Sequence, residues 1–405
     1  MKSPARDSYL PLAGRAMPEL DALRGVAVLL VLLFHGLTYP FGDASRTGTT
    51  GAAHWLMRLS TIGWIGVPLF FVLSGFLITG ILLDEKRSPR FFRDFYVRRA
   101  LRILPAFAAV LALLKLLGIA GWPFFLLSAA FLSNFASALA IPMAYPVLWS
   151  LAVEEHFYLV WPALVRFTSM RGTVLVAAAI VAFEPILRAT AFHVGWGAYL
   201  GVHTWYSLDG LAMGSLLAVA VRHAWFTRQR LVRLALGGVG AVLLAAGAMV
   251  PLGLASRETP LGAALQPSVM SAGFLLVLLG AILVGAGPHR ALVRVPLLSF
   301  FGNVSYGLYL VHQLVMLGLN RLAFGFAGWT EGAYYGRIDR IVLRFVVLVL
   351  VSTLVAWVSR WTYEQRFLLM KSRLAPRRAR LAPKVFAHPL PRSEAMPQAV
   401  ARWTK

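Results

Sequence analysis

The sequence contains no cysteine among its 405 residues, and only 14% of its residues are charged. The lack of cysteine excludes disulfide bonds, thiolate metal sites and a cysteine nucleophile. Acidic residues are also scarce, since 16 Asp and Glu stand against 39 Lys and Arg. Few charges together with a 59% share of hydrophobic residues exclude an ordinary soluble domain. The composition therefore predicts a multi-pass membrane protein.

The net charge of +23 would suggest a nucleic-acid partner if the protein were soluble. Here the basic residues border long apolar runs, so membrane topology explains them better. We therefore expect no nucleic-acid partner. Anionic membrane lipids are the expected partners of the basic segments.

The apolar runs predict an all-α polytopic fold with about ten transmembrane helices. Their approximate bounds are 22–40, 61–83, 103–119, 148–167, 173–192, 205–221, 234–253, 268–286, 303–321 and 341–359. Segment 121–140 is also apolar, but polar residues and prolines interrupt it. We interpret this segment as a re-entrant or interfacial piece.

The distribution of basic residues predicts that both termini lie in the cytosol. With the N-terminus inside, 29 of the 39 Lys and Arg residues fall in cytosolic segments and 6 in outer segments. This bias follows the positive-inside rule. Three parts are predicted: a cytosolic N-terminal segment (1–18), a membrane domain (19–367) and a basic, disordered cytosolic tail (368–405). We expect no appended soluble domain and no cleaved signal peptide.

Arg24 and His35 lie within the first apolar run. Eleven residues turn through about 1100°, close to three full turns, so both side chains share one helix face. The rise of about 16 Å places Arg24 near one membrane surface and His35 near the midplane. Ionisable residues at that depth indicate function. The alternative is a snorkelling arginine and an incidental histidine.

A second set of basic residues, Arg98, Arg99 and Arg102, precedes Pro105 at the mouth of the third run. Arg99 and Arg102 are neighbours on one helix face. Paired guanidinium groups match phosphate oxygens, so the pair predicts a phosphate-bearing ligand from the cytosol. The alternative is that these arginines only set the topology.

The fourth run carries two adjacent carboxylates, Glu154 and Glu155, which are rotated by about 100° from each other. Ser150, Glu154 and Tyr158 form one stripe along the helix. One carboxylate is expected to orient a base and the other to pair with an arginine, although a structural role is the alternative.

Three further groups complete the candidate residues. Asp209 lies near the outer boundary of the sixth run, where Gly210 and Gly214 suit close helix packing. The ninth run carries a polar face whose members are Ser305, Tyr309 and His312. His312 is either a second catalytic histidine or a satisfied bundle histidine. Glu184 and Arg188, four residues apart, are predicted to form a buried ion pair.

The ordered set of motifs from Glu19 to Phe367 resembles the membrane-bound acyltransferase-3 family of bacterial O-acyltransferases. ELDALRGVAVLLVLLFH resembles the opening motif of the family, and GVPLFFVLSGFLIT resembles its second span. Arg99, Arg102 and Pro105 resemble its Arg-x-x-Arg-x-x-Pro element. WSLAVEEHFYLVWP resembles a motif usually written with glutamine where His156 stands, and SYGLYLVHQ and YEQRF resemble the closing motifs.

The resemblance implies an acyltransferase that moves groups other than aminoacyl groups (EC 2.3.1). The implied donor is an acyl-CoA, most often acetyl-CoA, which acts as a co-substrate rather than a bound cofactor. The implied acceptor is a hydroxyl group of a carbohydrate such as lipopolysaccharide, exopolysaccharide or peptidoglycan, or of a macrolide-type small molecule. The implied location is the bacterial inner (plasma) membrane.

Together these residues predict a mechanism. Arg24, Arg99 and Arg102 hold the donor, and His35 acts as general base or acyl relay. Glu154 or Glu155 sets the tautomer of the histidine. Asp209, Ser305, Tyr309 and His312 line the acceptor side, and no metal is expected. A transporter or flippase of a lipid-linked sugar or anion is the alternative class, because intramembrane charges serve it equally well.

Overall fold

The structure is a computed structural model that describes residues 17–38, 51–197, 201–223, 226–249, 259–326 and 337–375. In these ranges all regular secondary structure is helical, with thirteen α-helices. They are α1 (Pro18–Leu33), α2 (Gly51–Ser60), α3 (Gly66–Glu85), α4 (Phe91–Leu116), α5 (Trp122–Ala129), α6 (Leu148–Phe167), α7 (Met170–His193), α8 (Asp209–Ala220), α9 (Arg228–Met249), α10 (Pro260–Gly285), α11 (Pro296–Asn320), α12 (Ile338–Ser359) and α13 (Gln365–Leu374). π-helical turns continue α1, α11 and α12 at Phe34–Thr38, Arg321–Phe326 and Arg360–Glu364.

The predicted all-α fold is confirmed, and each of the ten predicted runs overlaps one of these helices. Six helical stretches in the described ranges are long and apolar enough to cross a membrane. Helix α8 has 12 residues, and its rise of about 18 Å is shorter than a hydrocarbon core of about 30 Å. The count of ten crossings and the orientation of the termini stay predictions.

Segment 121–140 is broken, as its polar residues and flanking prolines predict. Helix α5 has eight residues, and two 3₁₀ turns follow at Ser133–Phe135 and Ser137–Leu139. A helix of this length rises about 12 Å, so it cannot cross a bilayer.

Glycines allow two pairs of helices to approach closely. Helix α1 packs along α11, and α3 packs along α8. A Cβ atom added at Gly25 would lie 2.0 Å from the Leu298 carbonyl oxygen, and one added at Gly214 would lie 2.1 Å from the Val72 carbonyl oxygen. The packing role predicted for Gly214 is therefore confirmed. These two pairs position most of the candidate site.

Polar side chains lie inside the bundle and large apolar ones lie on its surface. Arg188 and His312 are fully buried. Leu159, Leu243 and Leu350 are each more than 60% exposed. Exposed leucines on several helices are expected where lipid tails, rather than water, surround the protein. The chain is thus built as a multi-pass membrane protein.

The basic tail predicted to begin at residue 368 is helical at its start. Helix α13 continues to Leu374 and packs against α4. The expectation of disorder is therefore wrong for these residues, because the segment has an apolar face that finds a partner. Residues 1–16 and 376–405, which hold most of the two predicted terminal segments, lie outside the described residues.

Candidate active site

Two adjoining cavities lie inside the helix bundle. The first, called here the arginine cavity, has a volume of about 110 Å³ and is lined by Arg24, Arg99 and Arg102. The second, the histidine cavity, has a volume of about 430 Å³ and is lined by His35. Arg24 and His35, which were predicted to share one helix face, therefore line two neighbouring cavities, one residue in each.

The two cavities share part of their walls. Val67, Phe71 and Tyr309 line both. The Tyr309 hydroxyl forms a short hydrogen bond with the Ser150 hydroxyl and lies 3.2 Å from the Val147 carbonyl oxygen. We call this shared wall of Val67, Phe71 and Tyr309 the partition. The Tyr309 hydroxyl is its polar group.

In the arginine cavity, Arg99 is held by an aromatic ring rather than by a carboxylate. Its guanidinium carbon lies 3.7 Å from the centroid of the Tyr158 ring. The Tyr158 hydroxyl donates a hydrogen bond of 3.1 Å to Glu154 and is also hydrogen-bonded to the Ser74 hydroxyl. The predicted neighbours Glu154 and Tyr158 are thus joined, and stacking on Tyr158 fixes the position of Arg99.

The arginine cavity has an excess of positive charge. Arg24 forms an ion pair of 3.2 Å with Asp21. Neither Arg99 nor Arg102 forms an ion pair with a carboxylate in the ranges that the structure describes. Arg24, Arg99 and Arg360 each repel the charge of Arg102 electrostatically. Glu154 also lines this cavity. Three guanidinium groups beside this one carboxylate, two of them without a close ion pair in the described ranges, favour an anionic ligand.

In the histidine cavity, His35 contacts a second histidine. Its Nδ1 atom lies 3.0 Å from the Val31 carbonyl oxygen and 3.2 Å from Nε2 of His312. The Nδ1 atom of His312 lies 3.2 Å from the Leu308 carbonyl oxygen. The π-helical turn that follows α1 carries His35, and α11 carries His312.

The structure places Glu154 and Glu155 near Arg99 rather than against His35. Within the described residues neither carboxylate is hydrogen-bonded to His35, since Glu154 accepts from Tyr158 and Oε1 of Glu155 is buried without a hydrogen-bond partner. Both carboxylates instead interact electrostatically with Arg99. They lie nearer to the arginines because α6 presents them to α4.

The ion pair predicted between Glu184 and Arg188 is also corrected. Arg188 donates a hydrogen bond of 2.9 Å to Asp209 and one of 2.6 Å to Ser268, whereas Glu184 accepts a hydrogen bond of 2.7 Å from the backbone N–H of Leu208. The start of α8 inserts Asp209 beside α7, and that contact outcompetes the neighbour one turn away. Asp209 and Arg188 line the histidine cavity as a neutralised pair.

The polar face predicted on α11 is divided between the two cavities. Ser305 lines the arginine cavity and not the histidine cavity, and its hydroxyl donates to the Gly302 carbonyl oxygen. Tyr309 lies in the partition, and His312 lies behind His35. The helix is long enough that residues two turns apart reach different cavities.

His156, which stands where the related motif carries glutamine, has a clear contact. Its Nδ1 atom lies 2.6 Å from the Thr204 hydroxyl oxygen, and its ring stacks on Phe135. The side chain therefore joins α6 to the segment before α8, and it lines neither cavity.

No role was predicted for Arg344, which lies on α12. Its side chain is buried, donates a hydrogen bond of 2.7 Å to the Gly36 carbonyl oxygen and also donates to Asn320. It thereby holds the turn that carries His35. The same rule that singled out Arg24, an arginine within an apolar run, would have indicated Arg344.

The cavities offer a place for a charged ligand but no clear place for a metal. No group of three or more His, Asp or Glu side chains suited to a metal ion occurs in the part of the chain that the structure describes. The groups available for chemistry are therefore guanidinium, imidazole, carboxylate and hydroxyl.

Comparison with known proteins identifies relatives of the whole helical region. The family model described as "Acyltransferase domain" matches residues 17–361. The peptidoglycan O-acetyltransferase OatA of Listeria monocytogenes is 28% identical over 337 residues, which cover 74% of this chain and 49% of that protein. An uncharacterised protein of Haemophilus influenzae is 38% identical over 151 residues, which cover 31% of this chain and 60% of that protein.

The matched regions span about half of the Listeria protein and about three fifths of the Haemophilus protein. No solved structure matches the chain.

Proposed function

Because the chain belongs to the acyltransferase-3 family of membrane acyltransferases, we propose that it transfers an acyl group, most simply acetyl, from acyl-CoA to a hydroxyl group of a glycan. The observation that carries this proposal is the pair of adjoining cavities. One is lined by three guanidinium groups, two of which have no close ion pair in the described ranges, and the other is lined by His35, which contacts His312. Phosphate binding and proton transfer are the two capacities that such a reaction needs.

The arginine cavity is the donor site. Arg24, Arg99 and Arg102 bind the phosphate groups of coenzyme A through charge-assisted hydrogen bonds. A volume of about 110 Å³ corresponds to roughly four water molecules, so the bulky nucleotide stays at the mouth of the cavity. The slender pantetheine arm then carries the thioester past the partition to His35.

The histidine cavity is the acceptor site. Its walls include Trp64, Trp149 and Tyr206, together with the polar side chains of Ser207 and Gln266. Aromatic faces and a few hydrogen-bonding groups suit a sugar, which has apolar ring faces and hydroxyl edges. The larger volume of this cavity, about 430 Å³, leaves room for the acceptor and the acyl group together.

The chemistry balances with a single base. His35 takes the proton of the acceptor hydroxyl as its oxygen attacks the thioester carbonyl carbon. The carbon–sulfur bond then breaks, and the sulfur leaves with the electron pair of that bond. The protonated His35 returns the proton to the thiolate. The products are an ester and free coenzyme A, and the histidine ends unchanged.

The name of the Listeria relative makes peptidoglycan the first acceptor to test. Because acyl-CoA is made in the cytosol, the enzyme would lie in the bacterial plasma membrane with its arginine cavity facing inwards. Lipopolysaccharide, another surface polysaccharide or a macrolide-type molecule would use the same hydroxyl chemistry.

Release of free thiol tests the proposed class of function. Purified protein in nanodiscs, given acetyl-CoA and soluble peptidoglycan fragments, should release coenzyme A and form an acetyl ester in equal amounts. The His35→Ala variant is the control for spontaneous hydrolysis. A transporter or flippase would release no thiol, and that result would contradict the proposal.

Cysteine labelling tests the orientation, and the cysteine-free chain has no background. Arg93 and Ser137 are both exposed, and they lie on the predicted cytosolic and outer sides respectively. In intact cells an impermeant maleimide should label Ser137→Cys but not Arg93→Cys. External labelling at Arg93 would place the neighbouring arginines on the side without acyl-CoA.

A further inference from the structure

The contact between His35 and His312 determines where the proton sits on each ring. A neutral imidazole carries one N–H donor and one acceptor nitrogen. A backbone carbonyl oxygen can only accept, so a ring nitrogen that faces it in a hydrogen bond must carry the hydrogen. Two such carbonyl groups are present, one beside each ring.

The assignment begins at His312. Its Nδ1 atom faces the Leu308 carbonyl oxygen at 3.2 Å, so Nδ1 carries the hydrogen. Its Nε2 atom is then left with a lone pair. The residue is fully buried, and the N–H to carbonyl bond within α11 keeps the ring in this state.

The assignment continues at His35. Its Nδ1 atom faces two acceptors, the Val31 carbonyl oxygen at 3.0 Å and Nε2 of His312 at 3.2 Å. A hydrogen on Nδ1 serves both acceptors. In the opposite tautomer of His35, the lone pair on its Nδ1 would face the lone pairs of the Val31 carbonyl oxygen and of His312 Nε2, and all three would repel. The two carbonyl contacts and the contact between the rings are all satisfied by one arrangement, in which both rings are protonated on Nδ1.

We propose that His312 is a positioning residue that holds His35 in the Nδ1–H tautomer, so that Nε2 of His35 is the nitrogen that takes the proton of the acceptor hydroxyl. This inference rests on the proposed acyl transfer. His312 does not contact the substrates in this role and acts through His35.

The pair also supports the charged state of His35. When the Nε2 atom of His35 accepts the acceptor proton, the Nδ1–H of the resulting imidazolium still points at the lone pair of His312. A charge-assisted hydrogen bond replaces a neutral one. The proton returns from Nε2 to the departing thiolate, and His312 neither gains nor loses a proton over the cycle.

Two substitutions separate this role from simple packing. His312→Leu removes the acceptor nitrogen at similar volume. His312→Gln keeps a polar atom that can accept near the place of Nε2. His193→Leu is the matched control, because His193 is exposed at the end of α7 and lines neither cavity.

The expected kinetic result is a fall in kcat with little change in KM for the donor. Loss of the group that fixes the tautomer in a Ser-His-Asp triad lowers kcat by about 10⁴. Since the Val31 carbonyl remains, we expect a smaller loss of about ten- to a hundredfold in His312→Leu. His312→Gln should recover part of this loss, and His193→Leu should match the parent.

A spectroscopic readout tests the tautomer without activity. In protein labelled with ¹⁵N-histidine, the signals of His35 are those lost in His35→Ala, and they should report the Nδ1–H form. In His312→Leu the same signals should report a mixture of forms. An Nε2–H tautomer in the parent, or parental kcat in His312→Leu, would overturn the inference.

The two proposals fail in different ways. If the parent releases no thiol from acetyl-CoA, the proposed function fails, while the tautomer measurement still tests the histidine pair. If the parent is active and its His35 carries the hydrogen on Nε2, the role of His312 fails alone. If His312→Leu does not fold, two other measurements test the inference. The parent should show the Nδ1–H tautomer of His35, and His312→Gln should have a kcat below that of the parent.

Discussion

Both cavities are lined by arginine, but the arginines differ in whether they form an ion pair. In the histidine cavity, Arg188 is fully buried and its charge is met by Asp209 at 2.9 Å, with a further hydrogen bond to Ser268. In the arginine cavity, Arg99 and Arg102 form no ion pair with a carboxylate of the described ranges. Arg188 therefore has its counter-charge in direct contact, whereas Arg99 stacks on Tyr158 and interacts with Glu154 and Glu155 without forming an ion pair.

A structural arginine and a ligand-binding arginine inside a membrane protein differ in their counter-charge. Burial alone does not distinguish them, because both kinds are costly to remove from water. The counter-charge does. Where a carboxylate of the protein already neutralises the guanidinium, little is left for a ligand. Where aromatic stacking positions the guanidinium, as Tyr158 does for Arg99, and the nearby Glu154 and Glu155 form no ion pair with it, we propose that its charge is left for an anionic ligand.

The largest effect on the rate of transfer is expected when His35 is replaced, because this change should remove the general base and leave donor binding intact. His35→Ala should lower the rate of acyl transfer by about 10² to 10⁴, the usual contribution of a general base. Its affinity for coenzyme A should stay within twofold of the parent, since the donor phosphates bind in the other cavity. Turnover and titration calorimetry measure the two quantities. An equal loss of affinity would show that the cavities are not separate sites.

Breaking the ion pair between Arg188 and Asp209 should affect the stability of the protein rather than coenzyme A binding. Arg188→Ala leaves a buried carboxylate without its partner, which typically costs about 3–5 kcal/mol. Thermal unfolding in detergent should show a lower midpoint. The double variant Arg188→Met/Asp209→Leu should recover much of the loss because it removes both charges. A folded Arg188→Ala of parental stability that no longer binds coenzyme A would reverse the assignment.

Replacing Arg99 or Arg102 should affect coenzyme A binding rather than stability. Arg99→Ala and Arg102→Ala should each weaken coenzyme A binding about ten- to a hundredfold, the equivalent of about 1.5–3 kcal/mol for a charge-assisted hydrogen bond. Arg99→Lys should recover only part, because an ammonium group lacks the bidentate fork. Arg93→Ala, an exposed arginine on the same helix, is the control. Unchanged affinity in both alanine variants would leave these residues as topology signals.

The smallest effect is expected at the partition. Tyr309→Phe removes the hydroxyl that contacts Ser150 and the Val147 carbonyl, and a neutral hydrogen bond is worth about 0.5–1.5 kcal/mol. Turnover should therefore fall about two- to tenfold. Ser150→Ala should have a similar effect, and the two should not add, because they break the same bond. A loss as large as that of His35→Ala would mean that the hydroxyl takes part in the reaction.

Much of the fold follows from local patterns. Each long apolar run lies on a helix, and Glu154 and Tyr158 meet because residues four apart share a helix face. Gly214 marks a close contact between helices. These inferences needed only the period of the helix and the size of the side chain.

The partners that come from other helices could not be predicted in this way. Arg188 chooses Asp209 over Glu184 because α8 brings the aspartate closer than its own helix brings the glutamate. His35 meets His312 rather than Glu154 because of how α1 and α11 are rotated. The sequence singled out many of the polar residues that line the two cavities, and the packing of the helices decided which of them meet.

The central claim is that Arg99 and Arg102 bind the phosphates of the donor. The most direct measurement compares the affinities of coenzyme A and pantetheine, which lacks the nucleotide and its phosphates, for the parent and for the Arg99→Ala/Arg102→Ala variant. The parent should bind coenzyme A far more tightly, and the ratio of the two affinities should fall towards one in the double variant. An unchanged ratio would contradict the claim, because the arginines would then contribute nothing that depends on phosphate.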